Sequence, residues 1–326
     1  MNNALPPLPL VDGHFQTDNS SMEPINLCYR KSEYHILRRR QPSADKWALR
    51  FGGIIHLALG HRYLHCPDLC SGTSTESEQM QILEREFALT PQPEDNFRSL
   101  ELAQGLIRGY NSHFLSEPWS TVVDQDNQPF VESSFILPLG VMTSTLGPSI
   151  PVDYIGRIDL IVAEGSDIFP LDWKTTSMLG LGFWNEMSIS AQFEGYCWAW
   201  WKKTGVLPKG YIVRALRTRA PLKTERAEGE KPQLKRRKSI EDDDFAEQKT
   251  YVDESRLLEW QQNTMGMLNL WYHAYLTSNM PAHKKSCVGK YGLCEFYEVC
   301  NLLENNRLTM LQSGLFTDRT WSPLNK

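Results

Sequence analysis

Two aspartates thirteen residues apart, Asp159 and Asp172, each interrupt a run that otherwise reads as a buried strand. Asp159 falls in Gly156-Arg157-Ile158-Asp159-Leu160-Ile161-Val162, and Asp172 in Pro170-Leu171-Asp172-Trp173-Lys174. A buried carboxylate without a partner is costly, so two that converge call for a cation between them. Side chains at i and i+2 of a strand share a face, so Asp172 and Lys174 point the same way. Oxygen ligands with an ammonium beside them suit a divalent metal, Mg²⁺ or Mn²⁺, in metal-assisted hydrolysis. The Trp173 main-chain carbonyl offers a third oxygen. Lys174 stands where it can orient a water or stabilise developing negative charge.

The elements that must position these groups follow from periodicity. Phe130–Leu139, Tyr154–Ala163 and Ile168–Lys174 read as consecutive strands, with turn signals at Gly147-Pro148 and Glu164-Gly165. A helix over Ile189–Thr204 carries Gln192 and Tyr196 four apart on one face, where they can hydrogen-bond phosphate, a water or Lys174. Lys209–Leu216 reads as a further strand. Helical spacing covers 27–40, Trp47–Leu64 with His56 inside it, Asn96–Phe114 and Asp253–Ser278, while Cys66–Glu76 reads as a loop. The whole predicts an α/β fold, a central mixed sheet flanked by helices. Residues 1–22 read as a flexible arm and 23–326 as one domain. Within it lie a helical part (23–115), a catalytic core (116–216), a charged mobile insertion (217–250) and a C-terminal helix with a cysteine tail (251–326).

These residues resemble the PD-(D/E)XK nucleases, in particular their RecB-type exonuclease branch. Phe51-Gly52-Gly53-Ile54-Ile55-His56 looks like the upstream Gly-x-x-His element, and Val131-Glu132-Ser133-Ser134-Phe135 like the glutamate strand. Gln192-Phe193-Glu194-Gly195-Tyr196 matches Gln-x-x-x-Tyr, and Cys287, Cys294 and Cys300 look like a C-terminal iron–sulfur set with Cys28 upstream. The motifs run in the family's order from about Cys28 to Cys300. The resemblance implies a restriction-endonuclease-like core and metal-dependent DNA hydrolysis, exonucleolytic on single-stranded or free-ended DNA. It implies work in recombination, repair, or phage and CRISPR-type processing, with a helicase or recombination partner. Asp159, Asp172, Lys174, Glu132, Gln192 and Tyr196 become the catalytic set, and His56, Asp159, Asp172 and Trp173 the metal ligands. A neutral imidazole at His56 favours Mn²⁺; the plainer reading is a packed helix histidine. Glu132 either binds metal through a water or pairs with Lys174 or an arginine. Thr175 and Thr176 contact phosphate or cap the next turn.

Three tail cysteines cannot complete four-coordinate ligation, and the resemblance picks Cys28 as the fourth. Four thiolates suit a 4Fe–4S cluster or a structural zinc that staples the chain ends. The six-residue gap between Cys287 and Cys294 departs from the commoner family spacing of two. His61, His65, Cys66 and Cys70 form a second candidate cluster, read first as a wet helix end, and Cys197 reads as core.

Composition narrows the classes. With 41% hydrophobic and 22% charged residues the chain reads as soluble and globular, and no apolar run reaches the length of a membrane span. No signal peptide is legible, so a cytoplasmic, reducing compartment with unpaired cysteines is expected. A net charge of −5 argues against a protein that coats DNA non-specifically. Basic residues cluster at Arg30, Lys31 and Arg38 to Arg40, and again at Lys235 to Lys238. There is no Gly-x-x-x-x-Gly-Lys-Ser/Thr loop, so no helicase motor is expected. The rival readings are a non-catalytic DNA-binding module of the same fold and a zinc-stabilised RNA-processing nuclease.

Overall fold

Val, Ile and Leu dominate the runs around both aspartates, and these runs form the middle of an eight-stranded mixed sheet. The computed structural model describes residues 5–44, 47–65, 73–90, 97–219, 223–225, 233–235, 239–289, 292–319 and 324. The sheet strands are β1 (Leu10–Val11), β2 (His14–Thr17), β3 (Ser120–Thr121), β4 (Val131–Ser144), β5 (Gly147–Glu164), β6 (Asp167–Thr176), β7 (Gly210–Arg217) and β8 (Phe245–Tyr251). β5 is central. It pairs parallel with β2, and antiparallel with β3, β4 and β6. β6 then pairs parallel with β7, and β7 antiparallel with β8. The principal helices are α1 (Asn19–Leu27), α2 (Trp47–His65), α3 (Thr73–Leu89), α4 (Leu100–His113), α5 (Leu181–Ser188), α6 (Ala191–Thr204) and α7 (Glu254–Leu276).

Strands buried on both faces read as continuous apolar runs, and two cores explain why. On one face α2, α3 and α4 pack Phe51, Leu59, Leu83, Leu106 and Ile107 against Leu160, Leu171 and Trp173. On the other, α1, α6 and α7 pack Ile25, Trp198, Leu257 and Trp271 against Ile161 and Val213. This is the expected α/β fold with a central mixed sheet. No helix among the described residues is long and apolar enough to cross a membrane.

Three expectations change. Residues 10–22 are not a free arm: β1 and β2 join the sheet and α1 follows at once. Phe15 is 1% exposed, its ring centroid 5.2 Å from that of Trp271, and Asp18 caps α1 by accepting from Ser20 and Ser21 N–H at 3.1 Å. An alternation of only four residues, His14 to Thr17, is too short to stand out from its polar surroundings. The interval 217–250 is likewise not all insertion, because β8 pairs with β7 from Phe245↔Leu216 to Tyr251↔Gly210. β8 is an edge strand, and its charges are spent inside the fold, Glu247 on Arg214 and Lys249 on Glu164. Lys223–Glu225 and Gln233–Lys235 pair antiparallel, and Arg236, Arg237 and Lys238 lie outside the described residues. Finally, α3 begins at Thr73, inside the stretch read as a loop.

Part of the early basic run is paired within the chain: Arg38 with Glu33, Arg40 with Asp318, and Lys31 with Glu23 and Glu295. The chain ends meet here. Arg40–Pro42 pairs with Phe316–Asp318, and Tyr34 packs with Phe296, Val299, Leu311 and Phe316. Since Phe15 fills this side of the sheet, Phe15→Ala should cost about 3–5 kcal/mol in urea unfolding. A loss below about 0.5 kcal/mol, the range of a surface substitution, would restore the free-arm reading.

Candidate active site

β5 and β6 pair from Glu164↔Asp167 to Leu160↔Leu171 and then separate. Asp159 and Asp172 are the next residue on each strand, so the two carboxylates flank the fork where the ladder opens. They are 7% and 2% exposed. The Trp173 N–H has no strand partner on this edge and donates instead to Asp159 Oδ2 at 3.1 Å. N–H and C=O of one strand residue point to the same edge. The Trp173 carbonyl therefore also faces the fork, which fits it as an oxygen ligand.

A local irregularity brings a third carboxylate. The pairs Val131↔Leu160 and Ser133↔Ile158 leave Glu132 opposite Asp159. Glu132 adopts a φ of 50°, the left-handed region that non-glycine residues seldom enter. Alternation also breaks beside it, since Ile158 and Ile161, three apart, pack into the same core. Such irregularities re-aim side chains next to active sites.

His56 arrives from α2, where Gly52, His56 and Gly60 recur every four residues on one face. A Cβ at Gly52 would lie 3.1 Å from Thr175 Oγ1, and one at Gly60 would lie 3.4 Å from Val131 Cγ1. The two glycines thus let the helix press against the sheet on either side of His56. Its Nδ1 is 3.2 Å from Asp159 Oδ2. His56, Glu132 and Asp159 each place one ligand atom within 4.8 Å of the others, a set that could hold a divalent cation. Glu132 also pairs with Arg157 at 2.7 Å rather than with Lys174. Arg157 is thus an arginine partner of the kind expected for Glu132.

Asp172 completes the constellation from β6. Its Oδ2 lies 2.5 Å from Lys174 Nζ, as the strand period requires. Its Oδ1 accepts from Gln192 Nε2 at 3.3 Å, and the same amide donates to Tyr196 Oη at 2.8 Å. The α6 pair therefore steadies the fork from the opposite core.

The charges are unevenly balanced. Burial disfavours a charged His56, but Asp159 beside it, helped by Asp172, raises its pKa to about 9. Burial likewise disfavours ionised Asp159, yet His56, Lys174 and the Trp173 N–H hold its carboxyl below the ordinary value. Asp172 is pushed up to about 6 by burial and by Asp159, against the pull of Lys174. Each carboxylate thus faces one cation, Glu132 with Arg157, Asp159 with His56 and Asp172 with Lys174, but only at Asp172 does burial outweigh its partner.

A second layer holds Trp173 from behind. Its indole N–H donates to Tyr110 Oη at 3.0 Å, and its ring stacks on Tyr63 at 5.7 Å. Arg214 on β7, 1% exposed, donates to Tyr110 at 2.8 Å and Tyr63 at 3.2 Å, and grips both carboxylate oxygens of Glu117. Nothing in local spacing announces this network, because its members come from four distant segments.

A sequence model of the PD-(D/E)XK nuclease superfamily matches residues 20–301. The chain belongs to this superfamily. Membership implies a metal-dependent nuclease, a hydrolase that uses Mg²⁺ or Mn²⁺. No curated protein matches the chain.

Cys28, Cys287, Cys294 and Cys300 lie in one neighbourhood. Cys28 Sγ accepts from the His283 N–H at 3.3 Å, Cys287 Sγ lies 4.0 Å from His283 O, and Cys294 N–H donates to Cys287 O at 2.8 Å. Burial and the neighbouring Cys28, Cys294 and Cys287 push the Cys300 thiol up to about 11, against the pull of Arg30. Among the described residues no three thiols lie within 4.8 Å of one another. Ligands around a single zinc stand about 3.8 Å apart, given tetrahedral Zn–S bonds of about 2.3 Å. Cys197 is core, its thiol 3.4 Å from Gly210 O. His61 pairs with Glu78 at 2.7 Å and lies against His65, whereas Cys66 and Cys70 lie outside the described residues.

The protonation pattern sets the pH dependence of metal binding. Ligand protons must leave before a metal enters, so affinity should rise with pH. Because His56 titrates near 9, roughly one proton should be released per ion at pH 7–8. Below about pH 6, where Asp172 is also protonated, release should grow towards roughly two. Calorimetry of Mn²⁺ binding in buffers of different ionisation enthalpy measures this number, and a pH-independent affinity would contradict the ligand set.

Proposed function

We propose that the protein is a DNA exonuclease that cleaves phosphodiester bonds in single-stranded or free-ended DNA with Mg²⁺ or Mn²⁺. The observation that carries this reading is the fork, where Asp159 and Asp172 share a buried opening with His56, Glu132 and Lys174. His56, Glu132, Asp159, Asp172 and the Trp173 carbonyl would hold the ion. A bound divalent cation neutralises charge on the scissile phosphate and makes water a better nucleophile. The chain's own groups do the rest. Asp172 fixes the Lys174 ammonium at 2.5 Å, leaving its other protons to donate to water or to a phosphate oxygen. Gln192 and Tyr196 hold Asp172 in one rotamer, and the Trp173 N–H does the same for Asp159. Water adds to phosphorus and gives up a proton, the bond to the deoxyribose oxygen breaks, and the leaving alkoxide takes up a proton.

Preference for ends, and work beside a helicase in recombination, repair or phage and CRISPR-type processing, rest on the ordered motifs of the RecB-type branch. So does a 4Fe–4S cluster on Cys28, Cys287, Cys294 and Cys300. Supporting it, these thiols share one neighbourhood where the chain ends meet.

Asp172→Ala and Lys174→Ala should each lower cleavage of a labelled DNA strand by roughly 10²-fold or more, in line with loss of one transition-state donor or metal ligand. The fold should survive, checked by circular dichroism. Undiminished cleavage by the double variant would remove the active-site assignment, and equal cleavage of a matched RNA strand would remove the DNA preference. For the tail, anaerobically purified protein should be brown with broad visible absorption, and Cys300→Ser should release iron. Colourless protein holding one zinc would favour the structural-zinc reading.

A further inference from the structure

α5 links the two halves of the candidate site, beginning seven residues after Lys174 and ending four before Gln192. It is apolar, yet none of its residues is buried. Leu181 and the following Ile189 are 78% exposed, and Met178 just before the helix is 61% exposed. Phe183 and Trp184 are half-buried, edge to face at 4.9 Å, with only Trp184 packed against the core. Its C-terminal end and the turn before it are nonetheless anchored. Tyr211 Oη donates to Met187 O and Ser188 O at 3.1 Å, Arg256 donates to Ser188 O at 3.1 Å, and Met178 N–H donates to Thr176 Oγ1 at 3.1 Å. Exposed apolar surface on a segment that joins two parts of a site marks a contact surface.

Two glycines sharpen this. Gly182 lies inside the helix and Gly180 caps it. Neither has a positive φ, and a Cβ at either would meet nothing within 4 Å. No turn or internal packing therefore asks for glycine here, although glycine weakens a helix relative to alanine. Close approach of something outside the chain to this backbone would ask for it.

Resting on the nuclease reading above, we infer that Gly180 to Trp184, with Met178, form a lip that holds unpaired nucleobases of the strand entering the fork. The occupant follows from continuity. A strand whose phosphate reaches Lys174 passes the helix that begins seven residues later, and the bases beside that phosphate need an apolar or aromatic face. Phe183 supplies such a face, since any base can stack on an aromatic ring. Gly182 leaves room for the ring edges against the helix.

The test compares the full-length protein with Gly182→Ala and Phe183→Ala. Binding of a short oligodeoxythymidylate, with Ca²⁺ in place of Mg²⁺, is read by fluorescence anisotropy. A matched strand lacking one base near the scissile bond is read in parallel. Each variant should bind the intact strand roughly 5- to 150-fold more weakly, the range for one lost base stack. The variants should then bind the abasic strand no more weakly than the intact one, because base and lip act as one unit. Gly182→Ala should melt no lower than wild type, so its weaker binding cannot come from unfolding. If both variants bind the intact strand as tightly as wild type while cleaving it in Mg²⁺, the inference is overturned and the nuclease reading stands. If wild type neither binds nor cleaves the strand, the nuclease reading fails and the inference with it.

Discussion

Asp159 and Asp172 carry negative charge into the interior at the point where two strands part, and most of the surrounding structure serves to hold that charge. Isolated, buried carboxylates of this kind would take up protons. Here His56 and the Trp173 N–H keep Asp159 ionised, while Lys174 only partly offsets the burial of Asp172. The fold thus tolerates buried charge that its partners hold unequally. That is the expected trade between stability and activity, in which a strained or unbalanced site is supported by the rest of the protein. The left-handed Glu132 opposite Asp159 belongs to the same pattern.

The two cores divide the work of support. From one side α2 brings His56, its close approach allowed by Gly52 and Gly60. Behind Trp173 the Arg214, Glu117, Tyr63 and Tyr110 network fixes the strand that carries Asp172 and Lys174. A fully buried ion pair contributes little net stability after desolvation. Its value here is directional, because it fixes the indole whose main chain lies between the two site residues. From the other side α6 holds Asp172 through Gln192 and leads, through α5, to open apolar surface.

Much of this was legible in the sequence where local rules dominate. Asp172 and Lys174 face the same way because a strand has a period of two, and Gln192 and Tyr196 because a helix returns near every fourth residue. The apolar strands around them announced a sheet covered on both faces. What escaped depended on distant partners. β8 reads as a charged linker because its charges find Arg214 and Glu164 only in the folded sheet. β2 reads as part of an arm because four residues give too little periodicity, although Phe15 is buried among residues far along the chain. Which arginine meets Glu132 depends on how two strands pair, which spacing within either strand does not disclose.

The most direct measurement is anomalous scattering from crystals soaked in Mn²⁺. One peak is predicted at the fork, within bonding distance of His56, Glu132 or Asp159 and of Asp172 or the Trp173 carbonyl. It should vanish in Asp159→Asn crystals that retain the fold. An ordered fork that stays empty at saturating Mn²⁺, with the ion bound elsewhere or not at all, would contradict the account.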